Sequence, residues 1–184
     1  MVAAGHSFGA IAAVEFGRRQ LPNGVKCKAV LAYDASYFPF AKEVLSKKFF
    51  YSKDSPPLYL LQSSTFPDRV KVLSNGVNTN HQTCINTFVE TSLENGALLE
   101  QTEFLGYHHE AFSDLMIILP VEIYAMYRSF PHADFGKVYG LSAKLGINFL
   151  DKVRLEKPFK VHKVVPGGAR DVASIKEETR FEEY

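Results

Sequence analysis

Gly5-His6-Ser7-Phe8-Gly9 has the G-x-S-x-G spacing of a nucleophile elbow. On a sharp strand-to-helix turn a serine sits in strained backbone geometry, and the residues two before and two after it come close together. Small residues fit such a turn, hence Gly5 and Gly9. The turn also sets the serine oxygen at a helix N-terminus, where the amide of Phe8 can stabilise an oxyanion. The chemistry on offer is nucleophilic attack on a carbonyl by a hydroxyl whose proton a base removes. A bare pattern of this length is common by chance, and its other reading is a glycine-rich turn carrying a solvated serine. The surrounding elements therefore have to carry the argument.

Those elements alternate. Residues 1–4 read as the end of a buried strand, and Ile11 to Phe16 as a small, apolar helix that turns basic at Arg18 and Arg19 and ends near Pro22-Asn23-Gly24. Lys28 to Asp34 is a nearly continuous apolar run closed by an acid, the pattern of a buried parallel strand, and Pro57 to Gln62 is another. Asn80 to Glu94 carries Cys84, Ile85, Phe88 and Leu93 at helical spacing, with Asn95-Gly96 as its C-terminal stop. Ala97 to Leu105 predicts a further strand, leading at once into Gly106-Tyr107-His108-His109. The apolar stretch 112–130, broken at Pro120, and an amphipathic helix over Lys137 to Lys152 follow. Strand and helix in turn predict an α/β fold: a mostly parallel sheet flanked by helices.

Ligands of open parallel sheets gather at the carboxyl ends of the strands, and Ser7, Asp34 and His109 each stand at or just past such an end. The chain order serine, acid, histidine is that of the α/β-hydrolase triad. In that arrangement His109 takes the proton of Ser7 while Asp34 holds the imidazole tautomer and stabilises its cation. Asp54 and Asp68 are rivals for the acid, but only Asp34 directly follows an apolar strand. Spacing does not separate His108 from His109. His81 and His132 follow no predicted strand and read as surface residues. Adjacent loop residues rarely converge on one ion, so His108-His109-Glu110 makes a poor metal site, and no metal or other cofactor is expected.

The sequence resembles the platelet-activating-factor acetylhydrolases of the plasma and intracellular type II kind. Three blocks carry the likeness: Gly5-His6-Ser7-Phe8-Gly9, Leu31 to Pro39 with its D-x-x-x-x-P context at Asp34, and His109 to Asp114 as H-x-x-F-x-D. The likeness runs from Met1 to about Leu150 and falls on His109 rather than His108. It implies Ser7 as nucleophile, Asp34 as acid, His109 as base and the Phe8 amide as one oxyanion donor. It further implies calcium-independent hydrolysis of the sn-2 acetyl, short or oxidised acyl ester of a phospholipid. The partners so implied are a phospholipid or lipid-ester substrate and a peripheral lipid-surface contact. Family members carry strands before the elbow, with the loop that supplies a second oxyanion amide. Here only the strand that enters the elbow precedes it, so the resemblance implies the C-terminal part of an α/β-hydrolase fold, lacking the N-terminal strands. A catalytically incomplete fragment or isoform, or a general carboxylesterase, are the other readings of the same residues.

Tyr37, Phe38, Phe40, Phe49, Phe50 and Tyr51 cluster after the acid, as acyl-pocket lining or as plain core packing. Residues 115–119 and 123–127 fit either an interfacial helix or, better given their all-round apolarity, a buried one. Over 184 residues, 21 Lys and Arg balance 20 Asp and Glu to a net charge of +1, which argues against a nucleic-acid partner. No run of 18 apolar residues predicts a membrane span, and Cys27 and Cys84 are too few for a disulfide scaffold. The catalytic features fall within residues 1–150; residues 151–184 are polar, with Pro166-Gly167-Gly168 at their middle, and read as a flexible tail. No signal peptide is legible at Met1, and a targeting segment would precede the elbow, so both cytoplasm and secretion fit.

Overall fold

Short runs of aliphatic and β-branched residues become strands, each followed by a helix or a turn that reverses the chain. The computed structural model describes residues 1–19, 25–64, 71–74, 77–104, 109–112, 135–157 and 161–164. Strand β1 (Val2–His6) leads through Ser7 into helix α1 (Phe8–Arg18), then β2 (Ala29–Tyr33). A 3-10 turn (Phe38–Phe40) and the short helix α2 (Ala41–Leu45) precede β3 (Leu58–Ser63). The hairpin β4 (Lys71–Ser74) and β5 (Val77–Asn80) leads into helix α3 (His81–Glu94) and β6 (Leu99–Phe104). A 3-10 turn (His109–Phe112), the long helix α4 (Phe135–Arg154) and β7 (Val161–Val164) complete the order.

Five strands form one sheet in the order β1-β2-β3-β6-β7, and all four pairings are parallel. Val30 and Ala32 of β2 and Leu58 and Leu60 of β3 turn to one face, where Ile11 and Val14 of α1 and Ile85 and Phe88 of α3 cover them. Ala29, Leu31, Tyr59 and Leu61 turn to the other, against Phe149 of α4, Phe104 and Phe112. A strand buried on both faces needs apolar side chains at odd and even positions alike, which is why β2 and β3 read as continuous runs. The parallel sheet with flanking helices is thus the class expected from the alternation.

Close packing sets α1 on the sheet. A Cβ at Gly17 would come within 2.6 Å of Val30 Cγ2, and the Tyr51 hydroxyl donates to the Val14 carbonyl at 2.9 Å. Helix α3 begins at the Asn80 cap, whose side-chain oxygen accepts the Gln82 amide at 2.6 Å. It ends at Gly96, with φ of +73°. Cys84, Ile85 and Phe88 are buried as their spacing predicts, whereas Leu93 is exposed.

Two expectations change. Strand β1 is not buried: Val2 and Ala4 are exposed, because among the described residues only β2 pairs with it. The polar stretch after residue 150 also contributes to the sheet. Helix α4 continues to Arg154, and Val161–Val164 adds β7 alongside β6, with Gln101 opposite Val161. Backbone pairing needs no apolar run, so composition alone concealed this strand. The predicted stop at 22–24, the stretch 113–130 with Pro120, and residues 165–184 lie outside the described residues. No described helix is long and apolar enough to cross a membrane.

Candidate active site

Three neighbouring strands deliver the site from their carboxyl ends. Ser7 follows β1, Asp34 follows β2, and Ser63 is the last residue of β3; His109 begins the 3-10 turn that follows β6. Ser7 has φ of 57° and ψ of −120°, a conformation that is costly for a residue with a Cβ. Its backbone is tied on both sides. Its amide donates to the Tyr33 carbonyl at 2.9 Å, and its carbonyl accepts from Ala10 at 3.1 Å and from Ser36 at 3.1 Å.

The glycines of the elbow do different work. A Cβ on Gly5 would overlap the carbonyl group of Gly9 and lie 2.8 Å from the Ala10 nitrogen, so the first turn of α1 requires glycine at that position. A Cβ on Gly9 would meet nothing within 4 Å. The expectation that both positions demand glycine therefore holds for Gly5 alone: the Gly9 backbone is the approaching surface.

Ser7 Oγ lies 2.8 Å from His109 Nε2, and His109 Nδ1 lies 2.9 Å from Asp34 Oδ2. The carboxylate only accepts, which puts a proton on Nδ1 and leaves Nε2 free to accept from the serine hydroxyl. Asp34 is 1% exposed and itself stands at φ of 48°. Ser63 satisfies the rest of its carboxylate, the amide donating to Oδ1 at 2.9 Å and the hydroxyl to Oδ2 at 2.5 Å. The arrangement can therefore pass a proton from a hydroxyl to an imidazole whose cation faces a fixed carboxylate. Ser7, Asp34 and His109 come together. Asp54 sits in an exposed turn of its own, while Asp68, His108 and His132 lie outside the described residues.

The sequence reading missed Ser63, because nothing local marks a serine at a strand end as the partner of an acid 29 residues earlier. It misplaced His81, which is fully buried rather than on the surface. His81 Nε2 accepts the Tyr37 amide at 2.9 Å and its ring stacks on Phe38 at 5.2 Å, so it anchors the loop that leaves Asp34. Burial, opposed in part by nearby Asp34 and aided by His109, lowers its pKa to about 4. The Asn75-Gly76 pair marks the hairpin turn before β5, and so a strand leading into His81, but nothing local marks the burial of that ring.

The aromatic cluster divides. Tyr37, Phe49 and Tyr51 are core residues. Phe40 joins Pro39, Phe8, Ile11, Ala12 and Phe16 around an open groove of about 420 Å³ that Glu15 and Arg19 also line; the largely exposed Phe8 directly follows Ser7 in the chain. Phe8 and Gly9 open α1, where amides lack intrahelical acceptors.

No curated protein and no solved structure matches the chain. A family model does match, over residues 1–171, a span that takes in the elbow, Asp34, His109 and strand β7. It describes platelet-activating factor acetylhydrolase, isoform II, and this chain belongs to that family.

Proposed function

We propose that this chain is a serine ester hydrolase of the α/β-hydrolase kind, cleaving the sn-2 acetyl or short acyl ester of a phospholipid through an acyl-enzyme. The single observation that supports this most is the continuous relay from Ser7 Oγ through His109 to Asp34, at 2.8 and 2.9 Å. Membership of the family supports the substrate class. Ser7 Oγ attacks the ester carbonyl carbon while its proton passes to His109 Nε2, and the carbonyl electrons move onto oxygen. The Phe8 amide, at the positive end of α1, faces the resulting oxyanion. Collapse breaks the bond to the leaving alkoxide, which takes the proton from His109 and departs as the lysophospholipid. Water then attacks the acyl-serine with His109 as base, and the carboxylic acid leaves with Ser7 restored. Throughout, Asp34 balances the imidazolium, and Ser63 keeps that carboxylate fixed. The groove from Phe8 to Phe40 offers apolar walls for a lipid chain.

A fluorophosphonate probe on the full chain tests the reading. Label mapped to Ser7, together with hydrolysis of a 2-acetyl phospholipid that Ser7→Ala abolishes, is the expected result. A preference for long-chain carboxylesters without a phosphate headgroup would shift the substrate class to a general esterase. Absence of both label and turnover would overturn the enzyme reading.

A further inference from the structure

The residue between the elbow glycine and the serine has no assigned role, yet its side chain reaches across the site. His6 Nε2 lies 3.0 Å from the backbone carbonyl oxygen of His109, across 103 residues of sequence. A carbonyl oxygen can only accept, so His6 carries its proton on Nε2 and donates. The His6 and His109 rings also face each other, with centroids 4.5 Å apart and planes tilted by 34°. Both contacts fall on the residue whose imidazole must meet Ser7 Oγ.

We propose that His6 is a positioning residue: its Nε2–H holds the carbonyl of His109, and its ring backs the His109 imidazole. It thereby sets the distance between base and nucleophile. This inference rests on the proposed hydrolase reading. Ser7 and His6 are consecutive on the same strand end, so one rigid segment carries both the attacking oxygen and the clamp on its base. The bonds from the His109 ring to Asp34 Oδ2 and to Ser7 Oγ act on the side chain, whereas the His6 bond acts on its backbone. A bond from the end of β1 to that backbone ties the turn to the strand that carries the nucleophile. Misplacing a reacting group by about 1 Å costs on the order of 10²-fold in rate.

Two substitutions of nearly equal length separate donation from bulk. His6→Gln keeps a nitrogen donor near the Nε2 position, and His6→Met does not. Wild type, His6→Gln and His6→Met are compared in ester turnover and in the rate of fluorophosphonate labelling at Ser7. With a loss of about 10²-fold for misplacement, His6→Met should lose roughly 10–100-fold in kcat with KM little changed, while His6→Gln stays within about 5-fold of wild type. His6→Phe, which keeps a ring against His109 without the donor, should fall with His6→Met. Equal kcat in the Gln and Met variants overturns the assignment, as does a loss confined to KM. If either variant no longer melts cooperatively, the labelling comparison is made between wild type and the folded donor-free variant, Met or Phe, and equal rates there overturn it as well. Failure of wild type itself to label or turn over refutes the hydrolase reading, a result distinct from any of these.

Discussion

His81 makes acid sensitivity of the fold calculable. Its ring is buried against Tyr37 and Phe38, and its pKa falls from 6.5 to about 4, chiefly because burial penalises the cation. Above pH 6.5 the ring is neutral in both folded and unfolded chains, and the full stability is present. As pH falls below 6.5, the unfolded chain takes up a proton that the folded chain refuses. Stability then declines by about 1.4 kcal/mol per pH unit. At pH 5 the loss reaches about 2 kcal/mol, and near pH 4 about 3 kcal/mol, after which the folded ring also protonates and this contribution levels off. His81→Gln isolates the effect, because a side-chain carbonyl can accept the Tyr37 amide in place of Nε2 while nothing titrates. Urea unfolding of both proteins at pH 7.5 and pH 5 measures it. Wild type should lose about 2 kcal/mol more than His81→Gln over that interval. Parallel losses in the two proteins would refute the buried, neutral histidine.

Two pairs of substitutions probe the acid and the elbow. Ser63→Ala removes the hydroxyl on Asp34 Oδ2 and should lower stability by about 1.5–3 kcal/mol, as expected for a bond to a charged group, and reduce ester turnover; Ser63→Thr should preserve both, as urea melts and initial rates would report. Gly5→Ala forces a Cβ into the Gly9 carbonyl and should cost about 3 kcal/mol or more, whereas Gly9→Ala, with open space around its Cβ, should change the melting curve little.

The strands and helices that bracket the site were readable from the sequence because their signals are local. The predicted runs 28–34, 57–62 and 97–105 correspond within two residues to β2, β3 and β6, and helix α3 starts and stops at Asn80 and Gly96 through contacts a few residues long. Parallel strands buried on both faces announce themselves as unbroken apolar runs. Edge strands do not: β7, in a polar stretch, enters the sheet through backbone bonds that any residue can make. The exposure of Val2 and Ala4 was likewise not legible in their own apolar composition, since a strand's neighbours are set by the whole sheet.

Within the site, local patterns fix which residue types stand at strand ends and in what order, Ser7, Asp34 and then one of the His108-His109 pair, and the family resemblance points to His109. Periodicity and the elbow spacing act over a few residues, and they place an oxygen, a carboxylate and an imidazole at one edge of a parallel sheet. That Ser63 clamps Asp34, that His81 is a buried anchor for the loop after β2, and that His6 reaches the His109 backbone emerges from long-range packing alone. Those bonds span 29, 44 and 103 residues. Their partners become neighbours only when strand register brings Gly5 beside Ala32 and Ser63 beside Phe104. Register is a collective outcome of packing both faces of the sheet, and no local pattern of side chains encodes it.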